Sequence, residues 1–183
     1  MALSFISKVV LFSGCAPTVN GELNESECPD CPVILSEEHP LTFAARAMRF
    51  VSKNADTGFV PNALCDSYEN YPVDQLPIQE ILAAFDNNEG VANCSMAAAL
   101  LTKVLIDNGV SAYTYSFGFP EVELSHAVTI VSVADSLYLF DPFFNYFLAD
   151  SIGEALPLQA FFNNILDTTF VYQFRSEPVL GEL

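Results

Sequence analysis

Apolar spacing changes period once along this chain, and that change limits the folds open to it. Ala97, Leu100, Leu101, Val104 and Leu105 recur at i, i+3, i+4, i+7 and i+8, the stripe of a helix. Gly109 follows where a C-terminal glycine cap belongs. Beyond it the pattern turns to strands, expected at 111–117, 126–133 and 137–141. Upstream, Leu41 to Lys53 predicts a helix with Phe43, Ala47, Phe50 and Val51 on one face. Ile78, Ile81, Leu82 and Phe85 predict a short second one, after a loop over 54–77 with Gly58, three prolines and several Asn and Asp. Phe161 to Leu166 reads as a short helix and Thr168 to Phe174 as a final strand. Helices first and an antiparallel run of strands afterwards is the pattern of an α+β domain, with an apolar central helix packed on the sheet. Residues 1–40 read as an N-terminal segment and exposed linker, and 41–183 as one domain.

At 183 residues the chain is long enough to bury a core, and half of it is hydrophobic. It carries 23 acidic and 6 basic residues, a formal net charge of −17. Such a surface repels phosphate backbones and anionic lipid, which excludes nucleic-acid binding as the main function. The acidity reads as a device for solubility or a salty milieu before a docking site, and no EF-hand spacing accompanies it. No stretch reaches the roughly 18 apolar residues of a membrane span.

The five cysteines stand at 15, 28, 31, 65 and 94, so an exported chain would keep one unpaired, and Cys94 is the candidate. Cys28-Pro29-Asp30-Cys31 has no second ligand pair at zinc spacing, His39 being a poor substitute, and no strand and helix around it for redox work. Val9 to Cys15 has the outline of a lipoprotein signal. Its single charge, Lys8, its short apolar run and Phe12 fit a plain structural segment better, which favours a cytoplasmic location over an exported lipoprotein.

Three residues carry chemistry when taken together. Cys94 falls in the first turn of the central helix, with Asn93 as a candidate N-cap, where free N–H groups and the dipole favour thiolate over thiol. Alone, it would more often be an inert buried cysteine. His126 opens a strand, and only His39, beside Pro40 in a polar stretch read as solvated loop, competes as a base. Asp141 ends the apolar run Ser136–Phe140 and precedes the strand-stopping Pro142; a carboxylate there needs a partner or water. If Ala134-Asp135 form a two-residue hairpin turn, Val128 comes opposite Asp141, and His126 and Asp141 share a face as diagonal neighbours. A slip of one residue would separate them. In this arrangement Asp141 orients the imidazole and His126 deprotonates Cys94.

From Leu41 to Tyr146 the chain resembles the transglutaminase-like superfamily, a branch of the papain-like cysteine enzymes. The likeness lies in Gly90-Val91-Ala92-Asn93-Cys94-Ser95 opening an Ala/Leu-rich helix that ends in Asn108-Gly109-Val110. It continues in Ser125-His126-Ala127-Val128 and Phe140-Asp141-Pro142-Phe143-Phe144. Cys94 to His126 spans 32 positions and His126 to Asp141 spans 15, within the superfamily's range. The resemblance implies a papain-like core with Cys94 as nucleophile, His126 as base and Asp141 as orienting acid. It implies acyl transfer or amide hydrolysis on a protein, peptide or other amide or acyl substrate, with no metal or organic cofactor. Asn87 or Asn88, preferably Asn88, would supply an oxyanion-hole side chain. The tryptophan that members often carry after the histidine is absent; Val128 stands near there, and the chain has no tryptophan. Some relatives have lost activity, so the competing expectation is a non-catalytic module binding peptide or glycan in the same cleft.

Overall fold

The computed structural model describes residues 31–55, 77–86, 94–119, 124–167 and 169–176. In chain order the elements are α1 (Pro40–Asn54), α2 (Ile78–Asp86), α3 (Cys94–Asp107), β1 (Ala112–Phe119), β2 (Leu124–Val133), β3 (Ser136–Asp141), β4 (Tyr146–Asp150), α4 (Leu158–Asn164) and β5 (Tyr172–Arg175). The strands form one sheet in the order β1-β2-β3-β4-β5, every neighbouring pair antiparallel. The class is α+β.

α1 begins with Pro40, whose missing N–H costs nothing at a helix start. His39 is its N-cap: the ring Nδ1 accepts from the Leu41 N–H at 3.3 Å. The histidine expected to be a solvated loop residue is exposed and outside the helix, and from there it caps the first turn. Phe43, Ala44, Ala47, Met48 and Val51 bury the inner face of α1, while Phe50 is only partly buried.

α3 is apolar around most of its circumference, with Met96, Ala97, Ala98, Leu100, Leu101, Val104 and Leu105 all buried. It ends in a Schellman motif. The Gly109 N–H donates to the Ile106 carbonyl at 2.9 Å and the Val110 N–H to the Leu105 carbonyl at 2.9 Å. Gly109 takes the left-handed φ of +77° that this closure requires.

Helices α1 and α3 pack on the sheet face that carries Val131, Phe140, Phe147 and Ala149, and these residues make one core cluster. The β2–β3 turn is Ala134-Asp135, with φ of 47° and 64°, and the pairing runs from Val133↔Ser136 to Thr129↔Phe140. That is the register the two-residue turn requires. β4 was not among the expected strands, and it adds a hairpin partner to β3 through Asp141↔Tyr146 and Phe140↔Phe147. Asn145 closes the intervening loop at φ 53°, a left-handed position that asparagine tolerates better than most residues.

Residues 31–39, read as exposed linker, are tied to the helices. Asn108 accepts from the Ile34 N–H at 2.9 Å and donates to the Pro32 carbonyl at 3.4 Å. Arg46 donates to both Glu38 carboxylate oxygens (3.1 and 2.6 Å) and to the Val33 carbonyl at 2.8 Å. Among the described residues no helix is long and apolar enough to cross a membrane.

Candidate active site

Hydrogen bonds from threonine side chains set where the tip of α3 lies. Thr129 of β2 donates to the Ala98 carbonyl at 2.9 Å, and Thr102 meets Thr114 of β1 at 3.0 Å. Four residues back along the helix is a rise of about 6 Å. Two residues back along β2 is about 6.6 Å. The two steps match, so Cys94 arrives beside His126 and Ala127, and both interact with its thiol.

Strand alternation explains why the Ala127 N–H is open to sulfur. The Ser132 N–H donates across to Ser111, on the β1 side of β2, at 2.8 Å. Odd-numbered residues of β2 therefore direct their N–H groups toward β3. The β2–β3 ladder stops at Thr129↔Phe140, so Ala127 has no strand partner on that side, and its N–H is left to act on the Cys94 thiol.

His126 links the other two groups. One step past the last ladder pair, Val128 faces Asp141, which makes His126 and Asp141 diagonal neighbours on one face. The imidazole Nε2 lies 2.5 Å from Asp141 Oδ2. With Nε2 engaged, Nδ1 is the nitrogen left for Cys94. Asp141 is fully buried, and its second oxygen, Oδ1, accepts the Phe143 and Phe144 N–H groups at 3.1 Å each. The carboxylate ending an apolar strand is thus compensated by backbone donors and a ring nitrogen. Cys94 is a free, partly exposed thiol. Cys31 is disulfide-bonded, its partner lying outside the described residues.

The titrations of Cys94 and His126 are shifted in opposite directions by their surroundings. Burial pushes the Cys94 thiol up, but the His126 hydrogen bond, the Ala127 N–H, the imidazolium charge and a hydrogen bond with Ser95 together hold it below its ordinary 9.0. For His126, the Asp141 hydrogen bond acts most strongly, followed by that of Cys94; against burial, these and the charges of both groups push it up to about 9. Thiolate and imidazolium stabilise each other, so the pair titrates as a unit. The free N–H groups of the first turn of α3 add positive potential at the sulfur.

Aromatic rings enclose the imidazole. Phe117, its direct cross-strand partner, meets it edge-on at 5.6 Å, Phe144 lies at 5.3 Å and Phe143 at 6.2 Å. Phe117 and Phe144 remain 45% and 60% exposed, which makes them the rim of the site. Among the described residues, no group of three His, Cys, Asp or Glu side chains could hold a metal ion.

Cys94, His126 and Asp141 are therefore brought together, whereas Asn87, Asn88 and Asn93 lie outside the described residues. Three contributors went unread in the sequence: Ser95, the Phe117–Phe144 rim and Tyr146. Phe143 and Phe144 stood in view in the Asp-Pro-Phe-Phe run. Tyr146 is recognisable only once β4 is known to pair with β3. Comparison with family models, curated proteins and solved structures finds no match to this chain. The functional reading accordingly rests on the site itself.

Proposed function

We propose that this chain is a cysteine-dependent acyl-transfer or amide-hydrolysing enzyme, built on a papain-like, transglutaminase-like core. The observation that carries the reading is His126 bonded to a buried, backbone-held carboxylate, beside a free thiol at a helix tip that shifts with it. Inert cysteines do not require a base that is itself oriented; acyl transfer does.

In the proposed reaction the Cys94 thiolate attacks the carbonyl carbon of an amide or thioester, and its charge passes to the carbonyl oxygen. N–H groups at the start of α3 face that charge as it develops. The tetrahedral intermediate collapses as the His126 imidazolium gives its proton to the departing amine or thiol, leaving a thioester on Cys94. Neutral His126 then takes a proton from water or an amine as that nucleophile attacks, and the product leaves with the thiolate–imidazolium pair restored. Asp141 stays ionised throughout, fixing the tautomer and opposing the imidazolium charge. Every step uses side chains of this chain and no other reagent than donor and acceptor.

Iodoacetamide labelling at pH 6, read at Cys94 by peptide mass spectrometry, tests the reading. Cys94 should label at least about 10-fold faster than a free thiol peptide, because its thiolate fraction is higher. His126→Ala should abolish the excess. Slow labelling that the substitution leaves unchanged would instead mark a non-catalytic module.

A further inference from the structure

An unbroken row of rings crosses the sheet through His126. On the edge strand β1, Tyr115 stacks on Phe117 at 6.2 Å, and Phe117 meets the imidazole at 5.6 Å. On the far side Phe144 lies 5.3 Å from the imidazole and stacks on Tyr146 at 5.9 Å, and Tyr146 packs on Phe174 of β5 at 4.7 Å. Tyr115, Phe117, Phe144 and Phe174 are all exposed. Strand alternation explains the row. Tyr115 and Phe117 pair with Val128 and His126, Tyr146 with Asp141, and Phe174 with Leu148, so these side chains leave on the face turned away from α1 and α3.

Charge is segregated across the same sheet. Between Lys103 and Arg175 the sequence has eight carboxylates and no lysine or arginine. Arg46, Arg49 and Lys53 lie on α1 and Lys103 on α3, and both helices pack on the other face. Arg175 pairs with Phe147, a core residue, so it too alternates away from the rings. Among the described residues, then, no lysine or arginine shares the ring face, whereas Asp150 does, opposite Tyr172. The faces of aromatic rings are themselves electronegative. Exposed rings in a negative field, with no resident cation on their side, favour a cation brought from outside.

We propose that the substrate is a basic peptide, lying across the strands along the ring row, with arginine or lysine side chains on either side of the attacked amide resting on Phe117 and Phe144. This rests on the acyl-transfer reading above and names the donor which that reading leaves open. The imidazolium does not repel such a substrate, because in the resting state of the proposed reaction thiolate and carboxylate outnumber it. Polyanionic donors, such as nucleotide-linked thioesters, are repelled by the same charge that draws the basic peptide in. An uncharged apolar peptide or a neutral glycan would use the rings but gain nothing from the charge.

The test is calorimetric binding to the Cys94→Ala protein, which cannot turn a substrate over. Three blocked alanine hexapeptides carry a pair of arginines, leucines or glutamates, one on either side of the central amide. The arginine peptide should bind at least about 10-fold more tightly than the leucine peptide, and the glutamate peptide should not bind. Phe117→Leu and Phe144→Leu keep apolar bulk and remove the ring; each should weaken the arginine peptide by about 3-fold or more. Leu35→Ala, at an exposed apolar residue ahead of α1, should leave it unchanged. Attraction to the net charge alone would be the same in all of these variants. The arginine peptide should also shift the His126 ring resonances by NMR, a readout available even if the ring variants do not fold. Failure of the arginine preference, ring variants that leave the affinity intact, tighter binding of the neutral glycan chitohexaose, or an unmoved His126 ring would each overturn the inference. No chemistry at sulfur is read. The inference can therefore fail while rapid Cys94 alkylation upholds the acyl-transfer reading, and slow alkylation can sink that reading while peptide binding stands.

Discussion

Asp141 accepts from two backbone N–H groups on one oxygen and faces His126 with the other, which determines what its replacement does. Asparagine can keep the two backbone bonds through its carbonyl oxygen, but it then turns an NH2 group toward the imidazole and removes the charge opposing the imidazolium. Asp141→Asn should therefore remove most of the excess alkylation of Cys94 at pH 6, with the fold retained by circular dichroism. Cys94, His126 and Asp141 were legible because each sits at a local boundary: helix start, strand start, strand end. Chemistry-bearing side chains at such boundaries stand out against apolar runs. Ser95 and Tyr146 did not, since serine in a first turn and tyrosine after a loop are ordinary. Their significance comes from lying beside Cys94 and Asp141, which no apolar period marks.

Two turns hold the elements in the register the site needs, and both can be probed. Gly109 sits at φ +77° with nothing within 4 Å of where a Cβ would be. Gly109→Ala should cost about 1 kcal/mol, all of it conformational and none from a clash. Urea denaturation measures that directly. The Ala134-Asp135 turn has positive φ at both positions, a type I′ geometry that favours Asn-Gly. Ala134→Asn with Asp135→Gly should thus stabilise the protein by about 1 kcal/mol without changing Cys94 reactivity. The long helices were readable from their apolar period, and the β2–β3 register from one assumption about turn length. β4 was not. Its five residues, Tyr146 to Asp150, hold a short apolar run that fits a strand or a buried helical turn equally well. Only its pairing with β3 decides between them. His39 is the exposed loop residue its polar setting suggests, and its capping role shows only once Pro40 is seen as the first helical residue.

At the scale of the whole molecule the site contributes to stability through proton linkage. His126 is raised from its ordinary 6.5 to about 9 in the folded protein. Its contribution is fully present below pH 6.5 and is lost as the pH rises through the folded value. Cys94 is shifted the other way, so its contribution is present above its ordinary 9.0 and is lost as the pH falls through the folded value. The two slopes oppose each other in the wild type. Removing the thiol in Cys94→Ala leaves the histidine slope alone, and stability should then fall more steeply with rising pH above 6.5 than it does in the wild type. Adding His126→Gln should flatten it. Thermal melts across that range check the sign. Net charge of −17 sets the solvent-facing character of the chain but does not enter this comparison, because all three proteins carry the same carboxylates.

The most direct measurement is of the covalent intermediate. Incubation with an activated acyl ester such as p-nitrophenyl acetate, followed by acid quench and peptide mass spectrometry, should find the acetyl group on Cys94. It should be absent from Cys94 in the His126→Ala protein. An unacylated Cys94 in the wild type, or equal acylation with and without His126, would contradict the account.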